Sequence, residues 1–153
     1  MLAPPAFRGS PAVHNARSLT REKGMHPLIG LVTVATVLLL AAMTIVVGRA
    51  RGRYGVRAPA TTGHDGFERA FRTQANTVEA AMMFLPALWT ASSFGDPVVA
   101  SVFGAVWLFA RIVYAVTYLD PAKKRTFGFA LSSLATLMLV GQALWGITWT
   151  YLA

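Results

Sequence analysis

A chain of 153 residues that is 55% apolar and only 13% charged falls well below the roughly 25% charge of soluble domains, and its mean hydropathy of +0.52 leaves little for a water-facing surface, so it reads as one integral membrane domain. The absence of cysteine excludes disulfides, thiolate nucleophiles and Cys-ligated metals. The net charge of +8 flanks apolar runs, which makes it a topology signal rather than a nucleic-acid footprint.

Residues 1–25 carry Pro, Gly, Arg and Ser without apolar periodicity and read as a disordered extension or a mis-assigned start. No small-residue cleavage pattern marks them as a signal peptide. Met25 stands directly before the first apolar run and is the expected true start, leaving residues 26–153 as the membrane domain.

A helix rises about 1.5 Å per residue, so about 20 apolar residues cross the hydrocarbon core. Four such runs predict spans at about 27–48, 71–94, 98–118 and 127–151. The first loop, "RARGRYGVRAPATTGHDG", is long and Arg-rich. Only "GDPV" separates spans two and three, which forces an antiparallel neighbour. In "LDPAKKRT", Pro121 stops the third helix after Asp120. Trp145, Trp149 and Tyr151 form an interfacial aromatic belt, and Gly141 and Gly146 are expected at close helix contacts. The fold class is an all-α, up-down-up-down four-helix membrane bundle. His14, His26 and His64 all fall outside the apolar runs, which argues against a heme or di-metal centre within the bundle.

Lys and Arg set the orientation. Loop one and the start of span two hold Arg49, Arg51, Arg53, Arg57, Arg69 and Arg72, and loop three holds Lys123, Lys124 and Arg125. The second turn and the C-terminus have none, so loops one and three are expected in the cytoplasm and both termini outside.

Several polar residues sit where spans should be shedding them. Each helical residue turns about 100°, so Arg72, Asn76 and Glu79 share one stripe at the start of span two, with Gln74 off it. Arg111, Tyr114 and Tyr118 form a second stripe in span three, and Arg125 opens span four at the same level. The stripes can converge into one basic, hydrogen-bonding pocket. Two readings stay open at this point. Glu79 could neutralise Arg72 or Arg111 as a structural ion pair, because buried charges demand partners. Alternatively, at least three arginines face a single buried carboxylate, and the surplus positive charge awaits an anionic ligand.

The stretches "FERAFRTQANTVEA", "WLFARIVYAVTY" and "KKRTFGF" resemble the membrane-associated proteins in eicosanoid and glutathione metabolism, a family that includes microsomal glutathione transferases, leukotriene C4 synthase and the 5-lipoxygenase-activating protein. The resemblance covers roughly residues 49–129, with span four matching in character alone. It implies a left-handed four-helix bundle, a homotrimer, and a glutathione site between neighbouring subunits at the cytosolic face. Arg72, Asn76 and Glu79 match the residues that grip glutathione, Gln74 a further polar contact, Tyr114 and Tyr118 tyrosines lining the site, and Arg111 an arginine beneath it. Arg125 matches the catalytic arginine that points at the thiol, and Arg51 a first-loop arginine. Ala80 stands where the leukotriene synthase branch has a tyrosine, and Gly52 interrupts a paired arginine of that branch, so leukotriene A4 is not implied as substrate.

The implied activity is conjugation of glutathione to lipophilic electrophiles, with peroxidase activity by the same thiolate, and no metal. A site with several Arg and one Glu is complementary to a ligand with two carboxylates and one ammonium. The thiol of a free cysteine has a pKa near 8.5, which a nearby guanidinium lowers. The partners are then glutathione, a bilayer-dissolved electrophile and further copies of the chain, in a bacterial inner membrane. The alternatives are a non-catalytic lipid-binding or scaffold protein of the same fold, or a small transporter, for which internal repeats or broken helices would be expected.

Overall fold

The computed structural model describes residues 24–120, 122 and 125–152; the tail over residues 1–23, and Pro121, Lys123 and Lys124 of the third loop, lie outside the described residues. Four helices follow one another: α1 (Pro27–Tyr54), α2 (Asp65–Phe94), α3 (Pro97–Leu119) and α4 (Thr126–Leu152). No strand occurs among the described residues, and the architecture is the all-α membrane bundle expected from hydropathy.

Helices α2 and α3 form the centre. Each packs against both other helices as well as against its partner, whereas α1 and α4 share no contact among the described residues. The core between them holds Ile29 and Val32 of α1, Phe84, Leu88 and Ala91 of α2, Trp107 of α3 and Leu139 of α4. Phe84 and Trp107 stack with ring centroids 4.0 Å apart and planes 4° from parallel. Large apolar side chains such as Leu31, Leu38, Phe109, Leu137 and Leu144 point outward, the arrangement required where lipid is the solvent.

Three of the helices, α1, α3 and α4, are long and apolar enough to cross a membrane. Helix α2 is not among them, because its first turns carry Asp65, Glu68, Arg69 and Arg72 and Glu79 follows. At 30 residues it is about 45 Å long, against about 30 Å of hydrocarbon, so its first turns through Arg72 can lie outside the lipid while Glu79 falls within its depth.

The first loop is shorter than hydropathy suggests. Helix α1 continues to Tyr54, carrying Arg51 and Arg53 in its last turn, where cations favour the negative end of the helix dipole. It stops at Gly55, whose φ of 66° is a left-handed cap open to glycine. Helix α2 starts at Asp65, capped by His64, whose Nδ1 accepts from the Gly66 amide at 3.0 Å. The turn between α2 and α3 closes when Asp96 Oδ1 accepts from the amides of Val98 (2.7 Å) and Val99 (3.2 Å).

Of the two glycines expected at close helix contacts, only Gly146 is one. A Cβ there would collide with the Phe94 carbonyl, whereas Gly141 is exposed with nothing nearby. The closest backbone approach beside the arginine-bearing end is at Gly128, where a Cβ would lie 2.6 Å from the Tyr114 amide nitrogen and 2.7 Å from the Ala110 carbonyl oxygen.

Candidate functional site

The close approach at Gly128 draws the start of α4 onto the second half of α3, and α2 completes the enclosure. A cavity of about 400 Å³ results, lined by Asn76, Glu79, Arg111, Tyr114 and Arg125, with Ala80, Met83 and Phe129 as its apolar wall. Asn76 Nδ2 donates to Tyr114 Oη at 2.8 Å, tying α2 to α3 across the cavity. The Tyr114 and Tyr118 rings lie 5.5 Å apart, and the Arg125 guanidinium sits 4.6 Å from the centroid of Tyr118.

Arg111 is the unusual member. It is only 3% exposed, and its Nε and Nη1 are buried without a hydrogen-bond partner. The Tyr114 and Trp107 rings, at 5.1 and 5.6 Å from its guanidinium carbon, are its close neighbours. Glu79 lines the same cavity but forms no ion pair with Arg111 or Arg72 among the described residues. The structural ion pair considered from the sequence is therefore not made. Both signs of charge face one space without neutralising each other.

Not every residue singled out from the sequence reaches this cavity within one chain. Arg72 lies one turn before Asn76 on the same stripe and is exposed. Gln74 is on the opposite face of α2, where its Nε2 donates to Thr44 Oγ1 of α1 at 2.8 Å. Arg51 lies on that side too, over the Phe67 ring at 4.6 Å, and donates to the Ala60 carbonyl at 2.9 Å. The chain thus gathers Asn76, Glu79, Arg111, Tyr114, Tyr118 and Arg125 at one place and sets Arg51 and Gln74 apart, with α2 between them. Sequence reasoning missed Met83, Phe129 and Thr126 as lining residues; Met83 follows Asn76 by seven and so shares its stripe, a signal that was present.

Comparison with known proteins gives the family. The profile of the MAPEG family matches residues 29–145, a stretch that includes every residue lining the arginine cavity. The chain belongs to the MAPEG family and is an integral membrane protein. An uncharacterized protein from Synechocystis sp. is 49% identical over 119 residues, covering 78% of this chain and 87% of that protein. Microsomal glutathione S-transferase 2 of Homo sapiens is 39% identical over 116 residues, covering 74% and 79%. Leukotriene C4 synthase of Bos taurus is 38% identical over 120 residues, covering 78% and 80%.

Proposed function

We propose that the chain is a membrane glutathione transferase, joining the thiol sulfur of glutathione to apolar electrophiles dissolved in the bilayer. The observation that carries this reading is Arg111, a buried guanidinium with unpartnered nitrogens at the floor of a cavity that also presents Glu79 and Arg125. Leaving a buried charge unpaired is costly, and an anionic ligand relieves that cost. Glutathione fits by chemistry, since its carboxylates suit Arg111 and Asn76 and its ammonium suits Glu79. The names of the mammalian relatives support the same class.

Arg125 takes the catalytic role in this reading. It is exposed at the rim, with Tyr118 beneath its guanidinium. A guanidinium beside the sulfur favours the thiolate, which is the nucleophile; each pKa unit is worth about 1.4 kcal/mol. The thiolate then attacks the electrophilic carbon and the leaving group departs, or an epoxide oxygen takes up a proton. The same thiolate can reduce a hydroperoxide to its alcohol, taking the transferred oxygen as a sulfenic acid that a second glutathione converts to the disulfide and water. Met83 and Phe129 are 66% and 55% exposed and give the electrophile an apolar edge along which to arrive from lipid.

The division of polar residues between the two faces of α2 supports a homotrimer in which one subunit's Arg51 and Gln74 complete its neighbour's cavity. The excess of arginine at this end supports a cytoplasmic location for the first and third loops, in a bacterial inner membrane.

The test is direct. Detergent-purified protein is titrated with glutathione while thiolate absorbance is followed, and conjugation of a model aryl halide is measured. Wild type binds and forms thiolate; Arg125→Ala binds without forming it. Wild type that binds glutathione without forming thiolate would belong to a non-catalytic member of the fold, and absence of binding would overturn the proposal.

A further inference from the structure

Residues 55–64 join α1 to α2, and their far end is tied down through one imidazole. His64 Nδ1 accepts from the Gly66 amide at 3.0 Å. The Gly63 amide beside it donates to Glu68 Oε1 at 3.2 Å. The His64 ring also stacks on Tyr54, with centroids 4.0 Å apart and planes 16° from parallel. Gly66 leaves room for this, since a Cβ there would collide with the Tyr54 ring. His64 therefore joins the last residue of α1, the end of the loop and the first turn of α2.

Arg51 sits inside this arrangement. It precedes Tyr54 by three residues, so both side chains leave α1 on one side. Its guanidinium lies 4.6 Å from the centroid of Phe67, a sealed ring in the first turn of α2. Its Nη1 donates to the Ala60 carbonyl of the loop at 2.9 Å. Where that carbonyl stands depends on how the loop is held at its two ends. The near end is held by the Val56 amide, which donates to the Arg51 carbonyl at 3.2 Å. The far end is held by the bonds of Gly63 and His64.

The bond to Gly66 needs a bare Nδ1, which places the ring proton on Nε2. An imidazolium has no acceptor left. Protonation would remove the cap and set a cation at the positive end of the α2 dipole. The groups around the ring pull both ways. Asp65 and Glu68 of α2 favour the imidazolium. Arg51 and Arg53 of α1 and Arg57 of the loop oppose it, with Arg53 lying 5.6 Å from the centroid of Tyr54. None of them restores an acceptor at Nδ1.

We propose that His64 is a positioning residue. In its neutral form it latches the first loop, and through the loop Arg51; acidification releases both. The latch rests on the transferase reading only for what Arg51 is positioned to do, which is to meet glutathione in a neighbouring subunit's cavity.

Full-length protein in detergent is compared at about pH 7.5 and about pH 5, an interval over which imidazoles change charge. The readout is hydrogen exchange corrected for the intrinsic rate. Amide protection over residues 55–66 should fall about fivefold in acid, the equivalent of one lost N-cap. His64→Asn supplies a cap that does not titrate and should keep protection at both values, and His64→Ala should be open at both. Unchanged protection in wild type, or a fall in His64→Asn equal to that in wild type, would overturn the latch. Glutathione affinity, measured by calorimetry at neutral pH, gives the second arm. It should drop several-fold in His64→Ala, return in His64→Asn, and drop no further when His64→Ala is added to Arg51→Ala. Equal affinity in His64→Ala and wild type would overturn the positioning of Arg51. Absence of glutathione binding in every protein would overturn the transferase reading, and the exchange result would still decide the latch.

Discussion

The two faces of α2 are built on opposite principles. Toward α1, polar groups are satisfied locally: Gln74 binds Thr44, and Arg51 binds the Ala60 carbonyl and covers Phe67. Toward α3 and α4, Asn76 finds Tyr114, but Glu79 and most of the Arg111 guanidinium are left open. Burial in a low-dielectric interior makes an unpaired charge far costlier than a neutral gap. The first face is therefore satisfied within the chain, and the second holds unmet binding capacity. Within the proposed function, that capacity is what the ligand uses.

Several substitutions would break or sharpen this contrast. The largest effect is expected from Arg125→Ala. Conjugation should fall on the order of 10²–10³-fold, comparable to removal of one oxyanion-stabilising donor, and the thiol of bound glutathione should titrate near the free value of about 8.5. The pH–rate profile checks this: wild type should stay active as pH drops below that value, and the variant should not. Arg111→Met should behave oppositely in its two readouts. Replacing a buried unpaired cation with an apolar side chain should raise apo stability by about 1–4 kcal/mol, seen as a higher melting temperature, while glutathione affinity is lost. An apo protein destabilised by this change would show that the guanidinium has a partner in the assembled protein.

Gly128→Ala should cost about 1–3 kcal/mol through overpacking, because the added Cβ meets backbone atoms of Tyr114 and Ala110. Thiolate formation should fall with it, since Arg125 would be displaced from Tyr118; circular-dichroism melts and glutathione titration report the two parts. Smallest of all, Thr44→Val removes the acceptor of Gln74 and should cost about 1 kcal/mol, leaving thiolate formation by Arg125 intact. A large catalytic loss in that variant would show that the bond to Thr44 also holds Gln74 in position for a neighbouring subunit's cavity.

Much of this was legible before any coordinates, and the failures have identifiable causes. Hydropathy located all four helices, yet it marks the lipid slab rather than the helix. It therefore stopped short of Arg49–Tyr54 and Asp65–Ala70, which are helical beyond the apolar run. Helical phase separated Gln74 from Asn76 and Glu79 correctly, because a turn of about 100° per residue is insensitive to context. Phase could not reveal that Arg51 shares the side of Gln74, since that depends on how α1 docks. Gly128 escaped notice because it stands at the first turn of α4 among residues that read as a boundary. Even so, Gly128, Ser132, Ala135, Leu139, Ala143 and Gly146, the buried row of α4, repeat at steps of three and four, the small-residue pattern of close helix contact in membranes. Whether a polar side chain is spent locally or held open is a matter of partner geometry, and no pattern in one chain encodes it.

The stacked rings of Phe84 and Trp107 have a further consequence. They are sealed from solvent and sit, by their positions on α2 and α3, between the level of Glu79 and that of Phe94, so they form an aromatic septum across the bundle's mid-depth. A large-to-small change at either ring, Phe84→Ala or Trp107→Ala, would open a void at that depth and cost about 3–5 kcal/mol.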